Sequence, residues 1–292
     1  MNKVYESLRG EVNKGGFGTN CHAGLVSLFD ASAGVLRKLP KTDATSKVDG
    51  KQYFVFSGEG SNSRPINVEL FDRDHRKSVS LLGDLLAGRR RKLLAEDITR
   101  GLYSVAATCC AARDVTSRGD RKTQGTIFEY LCAAVVQAAL GIEPKRALPV
   151  MNLDLKGNLP TDFIFDLGEE KPKFHLPVKT STRERIIQVW AHQRVLDGVY
   201  GVGRFLAIPF VLTETKLDNK KLEVVEICLP WQWRLYQMHV ACLWNVCYFD
   251  IPRAYRDLDR AFPRVGVSTI GEFLAKDGRL DELLESHGIA PQ

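Results

Sequence analysis

Residues 162–167 (Asp162-Phe163-Ile164-Phe165-Asp166-Leu167) mix polar with apolar positions as a half-buried strand does. Residues 168–173 (Gly-Glu-Glu-Lys-Pro-Lys) are polar and hold both chain breakers, so they read as a loop. Residues 174–179 then return as a second strand. Pairing Leu167 with Phe174 across that loop would set Asp162 directly opposite Lys179, with Cβ atoms roughly 5 Å apart. Upstream, 78–110 reads as helical, with Leu81, Leu82, Leu85 and Leu86 on one face. A polar loop, 115–124, leads into an apolar helix over 126–140, rich in Ala and Val and closed by Gly141. Downstream of Arg185 a further helix is predicted, ended by Gly198, Gly201 and Gly203. Residues 205–213 and 222–229 read as two buried strands. Residues 1–76 are rich in Gly and Ser, with short strand-like pieces such as 52–56.

Composition adds a partner and a compartment. At 292 residues the chain can bury a sizeable core. Its net charge of +6 and pI near 8.9 suit a DNA partner. The cluster Arg89-Arg90-Arg91-Lys92 and the stretch 113–122 offer phosphate contacts, or simply solvated charge. The seven cysteines form no Cys-x-x-Cys pair, and Cys109-Cys110 sits in an apolar helical pattern that reads as core. With no secretory signal or membrane-length apolar run, reduced thiols and a cytoplasmic location are expected, and no membrane partner. Cys21 beside His22 carries no metal-site signature.

Two short segments carry chemistry. Asp162 and Lys179, delivered to one spot by the hairpin, are a carboxylate and an ammonium of the kind a phosphodiesterase uses. The same placement also describes a surface ion pair worth under about 1 kcal/mol. Just beyond Lys179 comes Thr180-Ser181-Thr182-Arg183-Glu184-Arg185. Arg is the usual bidentate reader of guanine, because its planar fork matches the O6 and N7 acceptors in the major groove. Glu184 between the two arginines can accept from a cytosine amino group while holding both guanidinium planes. The bland counterpart is a solvated helix start with an acid in its first turn.

The run Lys179-Thr180-Ser181-Thr182-Arg183-Glu184-Arg185-Ile186-Ile187-Gln188 resembles type II restriction endonucleases of the PD-(D/E)XK superfamily, nearest to the group recognising CCGG or CCNGG. Pro160-Thr161-Asp162 and the helix start Thr123-Gln124-Gly125-Thr126-Ile127-Phe128-Glu129 resemble the same group's motifs. The likeness spans roughly residues 120–200, and the order helix, hairpin, helix, strand, strand is that of the superfamily core. It implies an α/β fold, a central mixed sheet flanked by helices. The expected division is an N-terminal elaboration (1–76), the nuclease core (77–235) and a C-terminal helical elaboration (236–292), within one domain or several. It further implies a homodimer cutting double-stranded DNA with Mg²⁺ on the 5′ side of the CC, leaving 5′ overhangs. The compact Arg-Glu-Arg goes with a central unread base pair, hence a CCNGG-like site. Trp231-Gln232-Trp233 opens a segment whose apolar runs serve packing or dimer contacts.

Two positions depart from the pattern. The superfamily's acid two residues before the lysine is Pro177 here, and the helix position to which the CCGG group moves its second acid holds His192, followed by Gln193. Arg185, Gln188 and His192 share one helical face. Imidazole is a poor Mg²⁺ ligand. Either His192 helps position a metal-held water, or metal binding rests on Asp162 and Glu129; a packed helix histidine is the plain alternative. Glu129 is the only acid in the apolar 126–140 helix, costly to bury unless paired or ligated, or else an exposed first-turn acid. The catalytic set read from the sequence is thus Asp162, Lys179, Glu129 and His192, with Arg183, Glu184 and Arg185 as DNA readers. The reading from another class is a sequence-specific DNA-binding protein with a degenerate nuclease site.

Overall fold

The structure, a computed structural model, describes residues 1–58, 60–117, 119–120, 122–150 and 157–291; the side chains of Pro160 and Glu184 lie outside that description. The chain opens with two helices, α1 (Asn2–Gly15) and α2 (Thr19–Leu36). Four short strands follow: β1 (Lys41–Ser46), β2 (Tyr53–Gly58), β3 (Ser61–Asn62) and β4 (Ile66–Asn67). Three helices come next, α3 (His75–Leu86), α4 (Ala95–Thr116) and α5 (Thr123–Leu140), the last closed by Gly141 in the left-handed region at φ 66°. Then come β5 (Lys145–Pro149), β6 (Asn158–Asp166), β7 (Lys173–Leu176) and β8 (Val178–Lys179). A 3₁₀ turn over Arg183–Ile186 leads into α6 (Ile187–Tyr200). The rest comprises β9 (Phe205–Ala207), β10 (Phe210–Val211), β11 (Thr215–Asp218), β12 (Glu223–Glu226), α7 (Pro230–His239), β13 (Val246–Tyr248), α8 (Arg253–Arg256), β14 (Val267–Thr269), α9 (Ile270–Leu274) and α10 (Arg279–Ser286).

Two four-stranded groups, β5-β6-β7-β9 and β14-β13-β10-β8, carry the candidate site. They are stitched into one continuous surface. Ile208 N–H donates to the His175 carbonyl and Phe210 N–H to the Pro177 carbonyl, each at 2.8 Å, so the parallel ladder runs through the join. The registers His175↔Ala207 and Val178↔Phe210 put Pro177 opposite Pro209. Neither proline has an N–H to give, so both strands are interrupted there without leaving a donor unpaired. A separate six-stranded sheet, β11-β12-β1-β2-β3 with β4 on β2, lies beside it.

Side chains alternate across the sheet. Phe163, Phe165, Phe174, Leu176, Val178 and Phe210 face the large core built with α1–α5. Ile164 packs with Leu196 of α6, and Val211 and Tyr248 with Trp190 and Trp233 of α6 and α7. Helices thus cover both faces, the α/β arrangement expected.

Several local expectations need correction. Residues 1–36 are helical; the Gly and Ser content suggested otherwise, yet Gly15, Gly16 and Gly18 only separate α1 from α2. The predicted 78–110 helix is two helices, broken by a 3₁₀ turn at Arg90–Lys92. The strand expected over 205–213 is interrupted at Pro209, and 222–229 shrinks to Glu223–Glu226 in the other sheet. The stretch after 236, expected to be helical, also supplies β13 and β14 to the central sheet. Arg90 is neither a phosphate contact nor solvated. Only 1% exposed, it donates to Asp281 at 2.5 Å and to the Leu274 carbonyl at 2.8 Å. Trp233 is core, whereas Trp231 is exposed.

Candidate active site

The hairpin register differs from the expected one by two residues. Phe165 pairs with Phe174 and Phe163 with Leu176, so Lys179 does not lie across from Asp162. The pairing with β6 ends at Leu176, and Val178–Lys179 pairs with β10 only. A two-residue shift preserves which face each side chain takes. Asp162 and Lys179 therefore still project to the α6 side, and their side chains close the gap. Lys179 Nζ donates to Asp162 Oδ2 at 2.7 Å, and Val178 N–H donates to the same oxygen at 2.7 Å. Both side chains are partly exposed, at 33% and 23%, and reachable from solvent.

Around this pair the two strands and α6 enclose a small cavity of about 30 Å³, lined by Thr161, Asp162, His175, Lys179, Gln188 and His192. His192, the predicted occupant of the displaced-acid position, is there. Its imidazole is pushed below the ordinary histidine range by burial first and Lys179 second, with Asp162 pulling the other way. Glu129 reaches the neighbourhood from α5. Its carboxyl is pushed up by burial and then by the charge of Asp162, while Lys179 and Arg146 oppose. Asp162, Lys179 and His192 thus share one cavity, while Glu129, which does not line it, feels the charges of Asp162 and Lys179 from α5.

His175 escaped the sequence reading. It is fully buried with its ring centre 6.3 Å from that of His192, and neither ring nitrogen meets hydrogen-bond geometry with a partner among the described residues. Burial drives it down to about 3, so it is neutral. The Thr161 hydroxyl is likewise buried and has no hydrogen-bond partner among the described residues. One signal was available: within Phe174-His175-Leu176-Pro177-Val178-Lys179, His175 is the polar residue sharing the face of Lys179. Buried polar atoms without a partner are uncommon in folded proteins, so those lining this cavity call for an explanation.

The segment predicted to read bases follows Lys179 directly in the chain. Arg183 and Arg185 are both exposed on the 3₁₀ turn. Arg183 sits at φ 43°, a left-handed conformation that a non-glycine residue keeps only when its surroundings enforce it. The side chain of Glu184, the third predicted reader, lies outside the described residues.

A divalent metal can be tested against these donors. No cluster of three or more His, Cys, Asp or Glu with metal-binding geometry occurs among the described residues. Two carboxylates, Asp162 and Glu129, face one neighbourhood, and Asp162 Oδ1 accepts no hydrogen bond among the described residues. Mg²⁺ is commonly held by one or two carboxylates together with substrate phosphate oxygens. The residues fit that mode and no all-protein cage.

No protein-family model and no curated protein matches the sequence. Among solved structures, the crystal structure of the type IIP restriction endonuclease Kpn2I is similar at TM-score 0.81 and 24% identity, over 99% of this chain and 100% of that one. A complex of restriction endonuclease PspGI with substrate DNA is similar at TM-score 0.46 and 13% identity, over 73% and 92%. The first likeness, spanning both chains end to end, establishes the fold as that of a restriction endonuclease.

Proposed function

We propose that this chain is a type II restriction endonuclease, a homodimer that hydrolyses phosphodiesters in double-stranded DNA at a CCNGG-like site with Mg²⁺, leaving 5′ overhangs. The observation that carries the reading is the contact of Asp162 with Lys179 one short loop before two exposed arginines. That arrangement joins hydrolytic groups to a base reader. The name of the full-length structural neighbour, a type IIP restriction endonuclease, supports it.

Asp162 and Glu129 would hold the metal, which supplies charge stabilisation at the phosphorane and acidifies water. Lys179, held in place by Asp162, stabilises the charge that develops on the scissile phosphate or orients the attacking water. His192, kept neutral by burial, is able to accept a hydrogen bond from that water. Arg183 and Arg185 read the guanines, with Glu184 on the cytosines. Two copies related by a two-fold axis read the two halves of a palindrome.

Pro177 in place of the usual acid favours a second reading, a DNA-binding protein that has lost cleavage. Digestion of a sequenced plasmid with MgCl₂, with and without chelator, followed by end mapping, decides. Chelator-sensitive cuts at one sequence support the nuclease; specific binding without cuts supports the alternative.

A further inference from the structure

Glu214 follows β10, where the chain passes from the site-bearing sheet to the neighbouring one at β11. It is 1% exposed, yet it is no orphan. Five donors converge on its carboxylate. Ser181 Oγ donates at 2.9 Å, Thr182 N–H at 3.1 Å, Arg183 N–H at 3.2 Å and Tyr248 OH at 3.0 Å; the Thr182 hydroxyl donates as well. Four of the five come from the three residues that open the reader segment. The backbone around Glu214 is pinned too, with Ile227 N–H on its carbonyl at 2.8 Å and Thr213 N–H on the Thr180 carbonyl at 3.3 Å.

We propose that Glu214 is a positioning residue for base reading: its buried carboxylate gathers the backbone and hydroxyls of residues 181–183 and so fixes the direction in which Arg183 and Arg185 leave the sheet. The strained φ of Arg183 is what such a clamp produces, because its N–H is one of the groups held. A carboxylate suits the task because every group facing it is a donor, and charge-assisted hydrogen bonds are the stronger kind. Burial pushes the Glu214 carboxyl up while the Thr182 and Ser181 donors pull it down. An amide at 214 can accept at only one of the two positions and loses the charge that strengthens these bonds, so it loosens the loop. Guanine reading tolerates little angular error, since a bidentate contact needs both N–H groups aligned at once. Phosphate contacts, in contrast, depend chiefly on charge.

This inference rests on the reading of Arg183 and Arg185 as base readers. The test is competitive binding, with Mg²⁺ withheld, of the preferred duplex against random duplex DNA for wild type, Glu214→Gln and the double variant Ser181→Ala/Thr182→Val. The expected result is a fall of about tenfold or more in the preferred-to-random ratio, as for a lost bidentate contact. Affinity for random DNA should stay within about twofold, because the arginines keep their charge. Circular dichroism and the melting temperature show whether each variant folds, and if Glu214→Gln does not, the double variant decides by the same ratio. A wild type that discriminates, beside folded variants with an unchanged ratio, overturns the role of Glu214 alone. A wild type with no preference overturns the base-reading assignment and the inference with it. Equal weakening on both DNAs also overturns it, since the clamp would then serve only general binding.

Discussion

Lys179 and Asp162 meet at 2.7 Å although no strand pairing joins them. The β6–β7 pairing stops at Leu176, and the contact is made by the two side chains. A buried core pair would be fixed by packing. This pair is partly exposed and held by the Val178 N–H as a third member, which leaves it reachable from solvent.

Glu129 should govern the metal requirement. Glu129→Gln is expected to raise the Mg²⁺ concentration for half-maximal cleavage, with His192→Ala doing less because imidazole is a poor Mg²⁺ ligand. Because burial and Asp162 push the Glu129 carboxyl above the ordinary glutamate range, its ionised form is lost earlier as pH falls. Cleavage at limiting Mg²⁺ should therefore decline on the acid side at a higher pH than an unperturbed glutamate would dictate. A Mg²⁺ titration of the Gln variant matching wild type at every pH would count against Glu129.

The arginines should carry discrimination rather than bulk affinity. Arg183→Ala and Arg185→Ala are each expected to cost about 1–3 kcal/mol on the preferred duplex and to change random-DNA binding little. Lys at either position should rescue only partly, since a point charge cannot reproduce the fork. Competition against single-base variants reads this directly. Equal losses on both DNAs would make these residues phosphate anchors and remove the CCNGG assignment.

His175 should stay neutral wherever the protein is folded. Its nitrogen resonances are expected to be flat from pH 8 to pH 5, while those of His192 move only below the usual histidine midpoint. The linkage has a definite sign. With the folded value near 3 and the unfolded value near 6.5, the unfolded chain binds the extra proton between them. This histidine thus lowers stability progressively as pH falls through that window and costs nothing above it. His175→Gln should flatten that part of the stability–pH curve, measured by chemical denaturation. An unchanged slope would mean the ring is accessible.

Asp281 should matter to folding and not to DNA. Asp281→Ala leaves Arg90 buried without its partner, a loss of about 3–5 kcal/mol in comparable cases, while the salt dependence of DNA binding stays as in wild type. A steeply altered salt slope would return Arg90 to the phosphate-contacting surface.

Local patterning made much of the site legible. The apolar helix ending at Gly141, the strand around Phe163 and Phe165, and the turn into α6 follow period and breakers, and they set Asp162, Lys179 and His192 around one cavity. The hairpin register was misjudged because residues 168–173 fix a turn but not its tightness, and the two-residue difference kept Asp162 on the right face. Tertiary partners escaped because sequence spacing does not encode them. Arg90 finds Asp281 from the far end of the chain, and Glu214 finds residues 181–183 across a strand pairing. The helices of residues 1–36 were hidden because glycines at their ends weighed more in the reading than the buried stripe Tyr5, Leu8 and Val12.

The most direct test of the central claim, that Asp162 and Lys179 form a hydrolytic centre, is the single-turnover cleavage rate of Lys179→Ala against wild type on one cognate duplex with MgCl₂. Binding without metal serves as the control. A catalytic Lys179 requires a fall of about a thousandfold or more, some 4 kcal/mol of barrier at about 1.36 kcal/mol per tenfold, with specific binding retained. A Lys179→Ala protein that cleaves within about tenfold of wild type contradicts it.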